Sequence, residues 1–131
     1  MQLTLRDGLI LLPVTVVYQG REVKVSNVVL DTGSATTMFS TDVVSQVGIV
    51  PELNDVLHVI RGVGGAEVVF SRRVDRLRVG RQAVEQFEIE VGGVGDAFGI
   101  NGILGMDFLL QTGAIINLNT LQLDFSNKGS T

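Results

Sequence analysis

Apolar and polar positions fall into short alternating runs rather than long helical stretches, and their order predicts a succession of strands. Leu9 to Val17 is apolar apart from Pro13 and Thr15, Gln19-Gly20 makes a turn, and Glu22 to Leu30 returns. This reads as a β-hairpin. Pro13 puts the first arm at an edge or at a bulge, because proline has no N–H to give a ladder. Val28-Val29-Leu30 reads as strand buried on both faces, ending abruptly in Asp31-Thr32-Gly33-Ser34. Thr36 to Phe39 continues as a short strand. Ser40 is placed to cap a short helix over Thr41 to Val47, with Asp42 in the first turn and Gly48 past the end.

Val56 to Ile60 and Ala66 to Phe70 are strand-like arms around the glycine-dense tip Arg61-Gly62-Val63-Gly64-Gly65. Arg72 to Val79 and Gln86 to Val91 alternate apolar with polar residues across a turn at Gly80-Arg81. Arg72, Arg73, Arg76 and Arg78 then read as a solvated strand face, and His58 as a strand residue on the hairpin's outer arm. Gly92 to Asp96 predicts a flexible connection and Ile103-Leu104 a buried strand. Asp107 to Gln111 predicts a helix closing at Gly113. Ala114 to Leu118 and Leu121 to Phe125 predict a hairpin around Asn119-Thr120, with a frayed end from Asn127 onward. Strand, glycine turn and short helix occur at Leu30–Val47 and again at Ile103–Gln111, a weak internal echo.

Composition narrows the class. At 131 residues, with 45 % hydrophobic and 18 % charged positions, the chain is read as one folded domain, its core spanning about residues 11–125. Without Trp and with one Tyr, that core is aliphatic. The net charge of −4 argues against nucleic acid and anionic membrane surfaces as partners. No cysteine is present, which removes disulfides, thiolate nucleophiles and thiolate metal sites. No apolar run is long enough to span a membrane, and no signal segment opens the chain. A complete chain of this kind is expected in the cytoplasm.

Candidate chemistry centres on Asp31. A carboxylate at the tip of an apolar strand sits at the core's edge and must be hydrogen-bonded, paired or shifted in pKa. Asp-Thr-Gly alone reads better as an Asx-type turn closing a strand. Two further stretches, Val59-Ile60-Arg61-Gly62-Val63-Gly64-Gly65 and Gly102-Ile103-Leu104-Gly105-Met106-Asp107-Phe108-Leu109-Leu110, stand beside it in order. Together the three resemble the retropepsin-like aspartic proteases, from about Leu11 to Phe125.

The resemblance implies an all-β, closed and mostly antiparallel barrel with one or two short helices. It implies an aspartic endopeptidase acting on peptide or protein substrates, with no metal, nucleotide or other cofactor. Asp31, Thr32 and Gly33 would form the catalytic turn, and Gly33, Ser34, Ala35 and Thr36 would line the substrate path. Arg61, Gly62, Val63 and Gly64 would form the tip of a flap. Thr32 would hydrogen-bond across a dyad to the partner's loop, and Ser34 would bond the catalytic carboxylate. The chemistry needs two carboxylates sharing one proton, yet the chain holds a single Asp-Thr-Gly, so a homodimer is implied.

Two departures from the viral pattern come as a pair. Ala35 and Met106 stand where viral relatives carry an Asp and an Arg that bridge in support of the dimer. This brings the chain closer to cellular and bacterial members, and the closing hairpin Leu121 to Phe125 is a candidate source of compensating apolar burial. Arg61 stands where many viral flaps have glycine, and would favour acidic or polar substrate groups. Asp107 reads as a first-turn carboxylate stabilised by the helix dipole. Two other readings stay open: an inactive dimerisation or peptide-binding module on the same fold, and an unrelated small β-barrel in which Asp31 is a turn residue.

Overall fold

Paired residues with positive φ make the tight turns that send the chain back on itself. Gln19 and Gly20 take φ of 50° and 79°, and Asp7 and Gly8 take 53° and 79°. Positive φ at both central positions gives a turn whose twist matches the flanking strands. The structure, a computed structural model, describes residues 1–62, 65–94 and 99–126, with the backbone alone at 60–62 and 65–67. The strands are β1 (Thr4–Arg6), β2 (Leu9–Tyr18), β3 (Arg21–Leu30), β4 (Met38–Ser40), β5 (Leu57–Gly62), β6 (Gly65–Val79), β7 (Gln82–Gly92), β8 (Gly102–Leu104), β9 (Ala114–Asn117) and β10 (Gln122–Phe125). Helix α1 (Thr41–Val44) runs into a 3-10 turn over Ser45–Val47, and α2 covers Met106–Thr112.

The main sheet runs β1-β2-β3-β8-β4-β7-β6-β5, and an added β2–β6 pairing closes β2-β3-β8-β4-β7-β6 into a ring. The β3–β8 and β4–β7 pairs are parallel and the others antiparallel. This is the retropepsin-like, all-β architecture with two short helices. The β2–β3 register shifts between Leu12 and Val14, so Pro13 sits at an irregularity where no ladder bond is needed. Ser40 caps α1 by accepting from the Val43 N–H, and Gly48 ends the 3-10 turn at φ 90°.

Two expectations change. The arms at 66–70 and 72–79 are one unbroken strand, β6, long enough to pair with β5 at one end and β2 at the other. Of Val28, Val29 and Leu30, only Val28 is fully buried; the other two are half-buried, because the ring gives each strand one inner face.

Val16, Val28, Phe39, Leu77, Ile89, Leu104 and Phe108 are wholly buried and fill the ring. Phe108 packs edge-on against Phe87 and Phe125, with centroids 5.8 and 6.2 Å away. Burial of such a ring contributes about 2–3 kcal/mol. Leu123 of β10 is also buried, with Ala114, Ile116 and Phe125 partly buried against the same core. The apolar side chains of β10 are therefore committed to the core of this chain, whereas Ile115 and Leu118 stand exposed. The N-terminus closes the far edge of β10: the Leu123 N–H donates to the Met1 carbonyl at 2.9 Å, and Leu3 N–H to the Leu121 carbonyl at 2.7 Å.

Candidate active site

Strand order dictates the site. β3 and β4 follow each other in the chain, yet β8 lies between them in the sheet. The connection from Asp31 to Thr37 must therefore arch over the end of β8, where β8 turns into α2. The arch is tied down there. Asp31 N–H donates to the Leu104 carbonyl at 3.0 Å, Met106 N–H to the Ser34 carbonyl at 2.8 Å, and Asp107 N–H to the Ala35 carbonyl at 3.2 Å. Gly105 passes directly beneath. A Cβ there would lie 2.6 Å from the Thr36 carbonyl carbon and 2.9 Å from the Ser34 oxygen, so no larger residue fits without moving the arch.

Asp31 is half-buried at the head of the arch. Its Oδ1 accepts the Gly33 N–H at 2.9 Å, and its carbonyl accepts the Ser34 N–H at 3.2 Å. The Asx-type turn is thus present, and it serves to fix the carboxylate plane. Among the described residues Oδ2 has no hydrogen-bond partner, which leaves it available to a water or a second acid. Thr32, Gly33, Ala35 and Thr36 are exposed around it. The Ser34 hydroxyl, expected on the carboxylate, instead donates to the Thr36 carbonyl at 2.8 Å. It stiffens the arch by bonding a carbonyl two residues on.

Thr37 and Asp107 form a pairing beside Asp31's arch that sequence reasoning missed. Thr37 is fully buried. Its hydroxyl donates to Asp107 Oδ1 at 2.7 Å and accepts the Gly105 N–H at 3.1 Å, while its own N–H donates to Asp107 Oδ2 at 3.1 Å. Asp107 Oδ1 also takes the Phe108 N–H at 2.8 Å, so the carboxylate serves the start of α2 as expected. Beyond that, it pins the exit of the arch to the helix. Thr37 and Asp107 are 70 positions apart, and no local pattern joins them.

The β5–β6 hairpin is the element in which the resemblance places a flap. Leu57 pairs with Phe70 and Gly62 with Gly65. Arg61 and Gly62 are the last residues of β5; Val63 and Gly64 lie outside the described residues. Leu57, Val59 and Val68 are exposed apolar residues on the arms, and His58 is exposed beside them. The arginine face is not simply solvated. Arg76 pairs with Glu85 at 2.9 Å and Arg78 with Glu22 at 3.6 Å, and the Arg72 side chain is only 9 % exposed. Among the described residues no three acidic or histidine side chains group to hold a metal, and no helix is long and apolar enough to cross a membrane.

A family model described as aspartyl protease matches residues 13–108, a span that includes the arch, the hairpin and the start of α2. In three dimensions the chain is similar to the crystal structure of a retropepsin-like aspartic protease from Rickettsia conorii. The TM-score is 0.64 at 19 % identity, covering 92 % of each chain. No curated protein matches it significantly.

Proposed function

The chain belongs to the aspartyl protease family, and we propose that it hydrolyses peptide bonds as a homodimer, Asp31 of each subunit giving one carboxylate of a shared pair. The observation that carries this reading is the presentation of Asp31: Oδ1 is held by Gly33, and among the described residues Oδ2 has no partner. One such group cannot both take a proton from water and give one to the substrate. Two at close range keep a single proton between them, since both cannot ionise together. The ionised acid removes a proton from water as the oxygen attacks the peptide carbonyl, and the protonated one supplies a proton to the carbonyl oxygen. The gem-diol then collapses: the acid that took the proton from water gives it to the leaving nitrogen as the C–N bond breaks, the other takes the proton of a diol hydroxyl, and the pair holds one proton throughout.

Gly33 to Thr36 would run beside the bound peptide, with the β5–β6 hairpin closing over it through Arg61, Gly62, Val63 and Gly64. The second copy would dock along β9, whose one strand partner among the described residues is β10. Phe108 to Leu123 contains no charged residue, so two copies related by a two-fold axis would meet there without like-charge conflict.

The test is cleavage of a diverse peptide library from about pH 3 to about pH 8 by wild type and Asp31→Asn. A bell-shaped profile is expected for wild type, with turnover lost by roughly 10³-fold or more in the variant and its circular dichroism unchanged. Residual activity near wild type would end the assignment. A dimer that binds peptides and cleaves none would support the inactive module instead.

A further inference from the structure

Arg72 is held from every side. Its guanidinium donates to Asp55 Oδ2 at 2.6 Å, to the Val50 carbonyl at 3.0 Å and to the Tyr18 hydroxyl at 3.2 Å, and lies 3.7 Å from Glu52. It stacks 5.8 Å from the Tyr18 ring centroid and 5.4 Å from that of Phe70. The Asp55 side chain is itself only 11 % exposed, and its Oδ2 also takes the Glu52 N–H at 2.6 Å. Burial alone would push the Arg72 guanidinium down; the hydrogen bonds to Tyr18 and Asp55 outweigh it and hold the group above its ordinary value. So dense a set of partners is far more than an exposed pair needs.

What it joins gives the set its meaning. Tyr18 ends β2, a strand of the closed ring, and Phe70 belongs to the core. Val50, Glu52 and Asp55 belong to the segment that enters β5, and pairing in the β5–β6 hairpin begins at Leu57↔Phe70, two residues from each partner of the ion pair. Apart from Arg72, that segment makes few attachments among the described residues: Val50, Leu53 and Val56 are exposed, and the Asp55 N–H bonds back to the Glu52 carbonyl. The hairpin is thus a lever projecting from the ring with a fixed root.

The geometry points to Arg72 as a positioning residue: through Asp55 and Val50 it fixes the root of the β5–β6 hairpin, and thereby the angle at which the tip meets bound peptide. This rests on the reading of the hairpin as a lid. A rooted lever closes about one axis, so less ordering is left to occur on binding; a loose root spreads the tip over many positions, and the penalty falls on substrate capture.

The experiment compares wild type with Arg72→Met, Arg72→Lys and Asp55→Asn by peptide-cleavage kinetics and by amide hydrogen exchange of the free proteins. Arg72→Met should raise KM about tenfold with kcat within about twofold, and speed exchange at Val50–Val59 about tenfold while β2 and β7 keep wild-type protection. Asp55→Asn should show the same pattern more weakly, and Arg72→Lys should fall between, since lysine keeps the charge but loses the fork and the stack. Where Arg72→Met does not fold, Asp55→Asn carries the comparison. Unchanged KM in a folded variant, or exchange rising equally across the ring, would overturn the proposal. Exchange needs no turnover, so an inert wild type would remove the protease reading and leave the root's anchoring decided separately.

Discussion

Asp107→Ala removes the carboxylate that holds the exit of the arch, and the size of the loss can be worked from its bonds. Three donors converge on it: the Thr37 hydroxyl, the Thr37 N–H and the Phe108 N–H. Phe108 N–H lies in the first turn of α2, where water can replace the acceptor. The two Thr37 groups are buried and would be left unpaired. Hydrogen bonds to charged groups contribute about 1.5–3 kcal/mol each, so two give about 3–6 kcal/mol. Asp107 is half-exposed, which lets water recover part of this and puts the expectation at the low end, about 3 kcal/mol.

Against a domain stability of about 5–15 kcal/mol, that loss is large. With a urea slope of about 1–3 kcal/mol per molar, the midpoint should fall by roughly 1–3 M. Asp107→Asn keeps an acceptor for the hydroxyl but turns an amide donor toward the Thr37 N–H, and should lose about half as much. The assay is far-UV circular dichroism in urea, since the chain has no Trp, at one fixed protein concentration so that any dimer contributes equally. A midpoint within about 0.5 M of wild type for Asp107→Ala would refute the argument that this carboxylate holds the arch.

Other outcomes follow from the same geometry. Gly105→Ala drives a methyl into the backbone of the arch at Thr36 and Ser34, although its φ of −100° suits any residue; stability and cleavage should fall together, and a urea midpoint near wild type would count against the close crossing. Specific activity should fall on dilution, and Ile115→Lys should raise the concentration needed for activity at least tenfold by putting a cation on each copy's exposed β9 face in the proposed dimer. Sedimentation as a monomer with constant specific activity would contradict a shared carboxylate pair.

The hydrophobic pattern was enough for most strands and turns, though not for β1 or the unbroken β6, because alternation and positive-φ residues act over two to five neighbours. The hairpin ending in Asp31, the capped helix at Ser40 and the turn out of α2 at Gly113 were legible for that reason. The Asp-Thr-Gly, the glycine-rich tip and the Gly105 stretch pointed to the family together, although none did so alone. Tertiary structure decided what depends on the order of strands in the sheet. Inserting β8 between β3 and β4 forces the arch over Gly105, and only that crossing brings Thr37 against Asp107. Arg72 is the same case: in an alternating strand it reads as solvated, and it becomes buried because β6 runs unbroken past Tyr18 while the segment at Val50–Asp55 folds back over it. A side chain's partners 17 to 70 positions away are set by chain topology, and a one-dimensional pattern carries no record of that.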